Sequence, residues 1–89
     1  MRISRSSRFK RSYRKLNFSI RNDFDEKIEI FFKNPFDPSL KTHKLHGNLS
    51  VYFAFCLRDG YRALFEFEDD NHVLLVNTGS HGDYARWSR

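Results

Sequence analysis

Two stretches of this 89-residue chain hold side chains able to bind an anion or move a proton. In Tyr61-Arg62-Ala63-Leu64-Phe65-Glu66-Phe67, Tyr61, Ala63, Phe65 and Phe67 alternate with Arg62, Leu64 and Glu66. Such alternation predicts a half-buried antiparallel strand, because successive side chains project to opposite sides of the pleat. Arg62 then leaves the core on a rigid support, where its planar fork of donors suits a phosphate. The competing reading of Arg62 is a cross-strand ion pair with Glu66 or Glu68. The second stretch is a loop over residues 39–47, where Lys41, His43, Lys44 and His46 gather cations and imidazoles ahead of the sheet. Histidine titrates near neutrality, so it can both give and take a proton there. His43 and His46 also have an H-x-x-H spacing, but no Cys pair or nearby carboxylate completes a tetrahedral set, and no metal site is expected. His72, at the start of a strand after an acidic turn, reads as polar surface.

The elements that must position these groups follow from pattern. Residues 1–4 can form a first strand with Ile3 inward. Ser6 or Ser7 is a candidate N-cap, and Phe9, Tyr13 and Leu16 recur at helical spacing behind it. Asn17 breaks that helix, and a second is expected over residues 19–33, with Ile20, Phe24, Ile28 and Phe31 or Phe32 on one stripe. Pro35 and Pro38 end it. A strand over residues 49–57 should place Leu49, Val51, Phe53, Phe55 and Leu57 on one face and Tyr52, Ala54 and Cys56 on the other, with Cys56 a buried small apolar residue. Asp59-Gly60 marks a hairpin, and residues 72–78, nearly all apolar, read as an interior strand. Residues 79–84 leave the sheet, and residues 85–89 form a short helical turn or fray. The fold class is thus α+β, ordered β-α-α-β-β-β, with a helical hairpin packed on a twisted antiparallel sheet in one domain spanning residues 1–89.

Composition narrows the function classes. A lone Cys56 rules out an internal disulfide, and no apolar run is long enough for a signal peptide or a membrane span, so a reducing, cytoplasmic setting without a membrane is expected. The net charge of +5 is uneven: residues 1–16 hold Arg2, Arg5, Arg8, Lys10, Arg11, Arg14 and Lys15 with no acid, a local +7. Such a segment suits a polyanion or an acidic protein surface.

Three motifs in order, Leu40-Lys41-Thr42-His43-Lys44-Leu45-His46-Gly47, Tyr61-Arg62-Ala63-Leu64-Phe65-Glu66-Phe67, and Asn77-Thr78-Gly79-Ser80-His81 followed by Tyr84, resemble the RelE/ParE superfamily of type II toxins. The likeness points to the RelE/StbE and YafQ-like branch and extends over nearly the whole chain. It implies a ribosome-dependent endoribonuclease that cleaves messenger RNA without metal or other cofactor, and that a cognate antitoxin neutralises. It also implies His43, Arg62, His81 and Tyr84 as catalytic residues. RNA contacts are then expected at Lys41, Lys44, His46 and Trp87, and antitoxin contacts at Arg8, Arg11, Arg14 and Lys15. Some YafQ-like relatives place further acid-base or charged residues where this chain has Cys56, Gly60 and Asn77, so which histidine is base and which is acid stays open. Two other classes share the fold: a ParE-like inhibitor of DNA gyrase without catalysis, and an inactive RNA- or protein-binding module. Tyr84 and Trp87 also have a purely structural reading, as cover for the sheet edge.

Overall fold

A computed structural model describes residues 1–87. The chain runs through β1 (Arg2–Arg5), α1 (Ser7–Lys15), α2 (Phe18–Lys33), β2 (His43–Lys44), β3 (Phe53–Cys56), β4 (Arg62–Asp69), β5 (His72–Gly79) and α3 (His81–Trp87). Local chemistry sets the helix ends. The Ser6 hydroxyl accepts from the Phe9 N–H at 3.0 Å and the Asn17 side chain from the Ile20 N–H at 3.0 Å. Asn17 therefore ends one helix by starting the next, since each side chain satisfies an amide left open in the first turn.

One core joins both helices to the sheet. Phe9, Ile20, Phe24 and Phe31 bury their apolar stripes against Phe55, Phe65, Val73 and Leu75. The ring of Phe31 lies 4.8 Å from Phe65 and 5.0 Å from Phe55, within the range of favourable aromatic pairs. The expected α+β layering is present, and β3, β4 and β5 form the antiparallel meander. Strand order is β1-β5-β4-β3-β2, with β1 parallel to β5 and Ile3 opposite Val73. The sheet is thus mixed. The helices separate β1 from the meander, which frees it to join β5 in either sense, and a long crossover permits the parallel one.

Three local details differ from the sequence-based expectation. Gly47 adopts φ 65 and turns the chain through Gly47–Leu49, so the strand expected over residues 49–57 shortens to Phe53–Cys56. Val51 is then left 67% exposed, and Leu49 joins the opposite face. The loop before it holds the short edge strand β2, with His43 opposite Ala54. Leu64, expected to face outward, is 2% exposed, because a second cluster of Leu45, Leu49, Ala54 and Leu64 covers much of that face. No helix among the described residues is long and apolar enough to cross a membrane.

Candidate functional site

Arg62 opens β4, opposite Cys56 on one side and Gly79 on the other. Its guanidinium sits 4.8 Å from the centre of the Tyr84 ring, a cation-π contact that holds it over the outer sheet face. The ion pairs among the described residues are Lys27–Asp23 and Arg86–Asp83, and Arg62 belongs to neither. Burial, and then the neighbouring Glu68, push the Glu66 carboxyl upward, so these acids face each other rather than Arg62. The cross-strand ion-pair reading of Arg62 is therefore set aside, and its fork of donors remains available to an anion.

Tyr84 is placed by α3, which is tied down at its first turn. The Asp83 carboxylate accepts from the Ser80 N–H at 3.0 Å and from its hydroxyl at 3.1 Å, while the Asp83 N–H donates back to Ser80 Oγ at 3.2 Å. This reciprocal capping satisfies amides that a seven-residue helix would leave open. Asp83 is held below the usual carboxylate range, chiefly by the Ser80 backbone donor; burial opposes this, and the Ser80 hydroxyl and Arg86 add to the lowering. Gly79 allows α3 to fold back: a Cβ there would stand 2.8 Å from Asp83 Oδ2 and 3.0 Å from the Trp87 ring. His81 is exposed at the start of α3, its ring 6.4 Å from Tyr84 and inclined at 21°. Arg62, Tyr84 and His81 thus form one contiguous row.

His43 shares the outer face but not that row. It pairs with Ala54, which pairs with Leu64, so His43 and Arg62 lie two strands and two residues apart. Strand spacing and rise put their backbones about 12 Å from each other, a gap that a nucleotide can span. His43 Nδ1 is 2.9 Å from the Lys41 carbonyl. A carbonyl only accepts, so Nδ1 carries the hydrogen and donates it, leaving Nε2 as the lone-pair nitrogen of the neutral ring. Lys41 supplies that carbonyl from a left-handed backbone, φ 52. Lys41, Lys44 and His46 are exposed around β2, and Arg8, Arg11, Arg14 and Lys15 are exposed along α1.

The remaining positions divide between structure and surface. Trp87 is half-buried against the second cluster rather than fully open. Cys56, expected to be buried, is half-exposed directly across from Arg62, because its neighbours Phe55 and Leu57 take the inward positions. Gly60 occupies the hairpin turn at φ 77. Asn77 is buried, its Oδ1 accepting from the Ser12 hydroxyl at 2.7 Å and the Thr78 N–H at 2.9 Å. Among the described residues no three of His, Cys, Asp and Glu converge as a metal site would require. Sequence reasoning missed Ser80 and Asp83, although S-x-x-D is the spacing of a capping box and marked this helix start.

No family model matches the sequence, and no curated protein matches it. Solved structures do. A YoeB/ParE toxin from Agrobacterium tumefaciens is similar over 91% of this chain and 99% of its own, with a TM-score of 0.75 at 13% identity. YafQ from E. coli strain BL21(DE3) is similar over 94% and 98%, with a TM-score of 0.73 at 16% identity. A chain of the YoeB-YefM complex from Staphylococcus aureus is similar over 91% and 97%, with a TM-score of 0.71 at 21% identity. Over nearly the full length of each, the chain therefore has the fold of these RelE/ParE-type toxins.

Proposed function

We propose that this protein is the toxin of a type II pair: a ribosome-dependent endoribonuclease that cleaves messenger RNA, needs no metal, and is neutralised by a cognate antitoxin. The observation that carries the reading is the row of Arg62, Tyr84 and His81 on the outer sheet face, with Arg62 in neither ion pair found among the described residues. Catalysis needs a base for the 2'-hydroxyl, an acid for the leaving oxygen and a cation for charge on phosphorus. His43 Nε2 takes the 2'-hydroxyl proton, and the oxygen attacks the adjacent phosphorus. The bond to the 5'-oxygen breaks, and His81 in its protonated form supplies that oxygen's proton. Arg62 stabilises the charge that builds on the phosphoryl oxygens. Proton transfer of this kind gives typically about 10²–10⁴ in rate, and a well-placed charge a comparable factor. Tyr84 orients Arg62 and borders the reacting ribose or a base, while Lys41, Lys44, His46 and Trp87 contact neighbouring nucleotides.

The exposed cations Arg8, Arg11, Arg14 and Lys15 favour an acidic antitoxin segment along α1, reaching the Arg62 face and closing it to RNA. That a similar fold has been solved in a YoeB-YefM complex supports a protein partner. Single-turnover cleavage on programmed ribosomes tests the reading. Products ending in a 2',3'-cyclic phosphate and a 5'-hydroxyl are expected, with no divalent requirement beyond the ribosome's own. Intact message together with a blocked DNA gyrase would move the protein to the ParE-like class.

A further inference from the structure

The end of β4 away from Arg62 brings together a free backbone edge, open aromatic rings and unpaired acids, none of which the cleavage chemistry uses. β3 begins at Phe53, opposite Phe65, so residues 66–69 of β4 have β5 on one side and no strand on the other. The Leu57 N–H donates to the Tyr61 carbonyl at 2.8 Å, so the residues that bond toward β3 are Tyr61, Ala63 and Phe65. Phe67 is next in that series, and its N–H and C=O therefore point to an edge that no strand occupies. Its ring stacks on Phe36 with centroids 6.1 Å apart and meets Phe53 edge-on at 5.4 Å, yet Phe36 is 54% and Phe67 38% exposed. Glu66, Glu68, Asp69 and Asp70 follow around the hairpin with no base among them, in a chain of net charge +5. None of these acids belongs to an ion pair among the described residues.

These features together limit what can dock. A residue paired with Phe67 across an antiparallel ladder shares its face of the sheet, and the residues on either side of it take the other face. A chain laid along this edge thus turns one side chain toward Phe36 and Phe53 and its neighbours toward Glu66 and Glu68. The first must be apolar and the neighbours basic. The two open rings leave on the order of 200 Å² of apolar surface, whereas each partner in a standard interface buries about 800 Å², so a short segment fits and a folded surface does not. A second copy of this chain is disfavoured, because two-fold pairing along this edge sets the acids of both copies against each other. RNA is repelled for the same reason, and so is the acidic segment that suits α1.

We propose that the free edge of β4 at Phe67 is a docking slot for a short extended segment of a protein partner whose side chains run basic, apolar, basic. The segment adds a strand beside Phe67, seats its apolar side chain on Phe36 and Phe53, and directs its cations to Glu66, Glu68 and Asp69. At a rise of about 3.3 Å per residue the slot lies about 16 Å along β4 from the Arg62 backbone, so it is separate from the candidate site and does not depend on the ribonuclease reading.

The probe is a fluorescein-labelled peptide of alternating lysine and isoleucine, about eight residues long, the length of an ordinary strand. Its anisotropy is followed as the wild-type protein is added. Saturable binding is expected, about tenfold or more tighter than that of a glutamate-isoleucine peptide of the same length, and weaker as salt rises. The lysine peptide N-methylated at its isoleucines keeps every side chain but cannot donate to an edge, and should bind about tenfold or more weakly. Phe36→Ser, and Glu66→Gln combined with Glu68→Gln, should each weaken the lysine peptide by about five- to tenfold. Phe36 lies in the loop after α2, and circular dichroism with a melting curve shows that each variant remains folded. Arg62→Ala should bind the peptide as the wild type does. No saturation up to about 1 mM, equal binding of the lysine and glutamate peptides, or indifference to N-methylation would overturn the slot. Loss of binding in Arg62→Ala would overturn it by placing the peptide at the other end of β4. A dimer in sedimentation velocity that Phe36→Ser dissociates would give the edge to a second copy and overturn the proposed partner.

Discussion

The two faces of β4 are covered in different ways. Inward, Ala63 and Phe65 are fully buried among Phe31, Phe53 and Phe55. Outward, Arg62 and Glu66 flank a buried Leu64, which packs with Leu45, Leu49 and Ala54 and with half-buried Tyr52, Val76, Tyr84 and Trp87. The inner face is sealed by α1 and α2, the outer by the segment that carries Leu45 and Leu49 and by a seven-residue helix too short to be stable alone. What holds α3 is a cap, a ring contact and the absence of a Cβ at Gly79. Stability therefore concentrates on the inner face, and groups that bind or react can be kept on the outer face at little cost to folding.

The strongest way to break that contrast is at the inner face. Phe65→Ala should cost about 3–5 kcal/mol, because it removes a ring stacked among four others and leaves a cavity. Denaturant unfolding would measure it, and a loss below about 1 kcal/mol would mean that the core does not depend on this ring.

A smaller effect should sharpen the contrast at α3. Asp83→Ala removes the reciprocal cap, and caps of this kind are worth about 0.5–2 kcal/mol, so global unfolding should shift little. Cleavage should nevertheless fall, since Tyr84 and His81 ride on that helix. The same carboxylate sets a pH dependence. Its folded-state pKa is lowered, so its stabilisation is present above the unfolded pKa and is lost as pH falls through the folded one. The fluorescence of Trp87 should therefore change in acid before the core unfolds, and Asp83→Asn should remove that separate step. Coincident loss of both signals at every pH would mean that α3 and the core form one cooperative unit.

Much of this was legible in the sequence. The alternation around Arg62 gave its strand and its outward side, and helical spacing gave Phe9, Ile20, Phe24 and Phe31 as core. Pairing direction was not, because β1 has no local signal separating a parallel neighbour from an antiparallel one. Leu49 and Val51 continued the alternation of Phe53 and Phe55, and only the turn at Gly47 shows that they leave the strand. For the site, residue types were readable but distances were not. The gap between His43 and Arg62 depends on strand order, and the close stacking of Tyr84 depends on α3 folding back over Gly79.

One paired measurement bears most directly on the claim that the outer face performs the chemistry: the melting midpoint and the single-turnover cleavage rate of Arg62→Ala. The midpoint should stay near that of the wild type, as surface substitutions usually shift stability by less than about 0.5 kcal/mol. Cleavage on programmed ribosomes should slow by about 10²–10³, with binding to the ribosome little changed, as for loss of a charge-stabilising donor. A midpoint that drops as far as that of Phe65→Ala, or cleavage at the wild-type rate, would contradict the account.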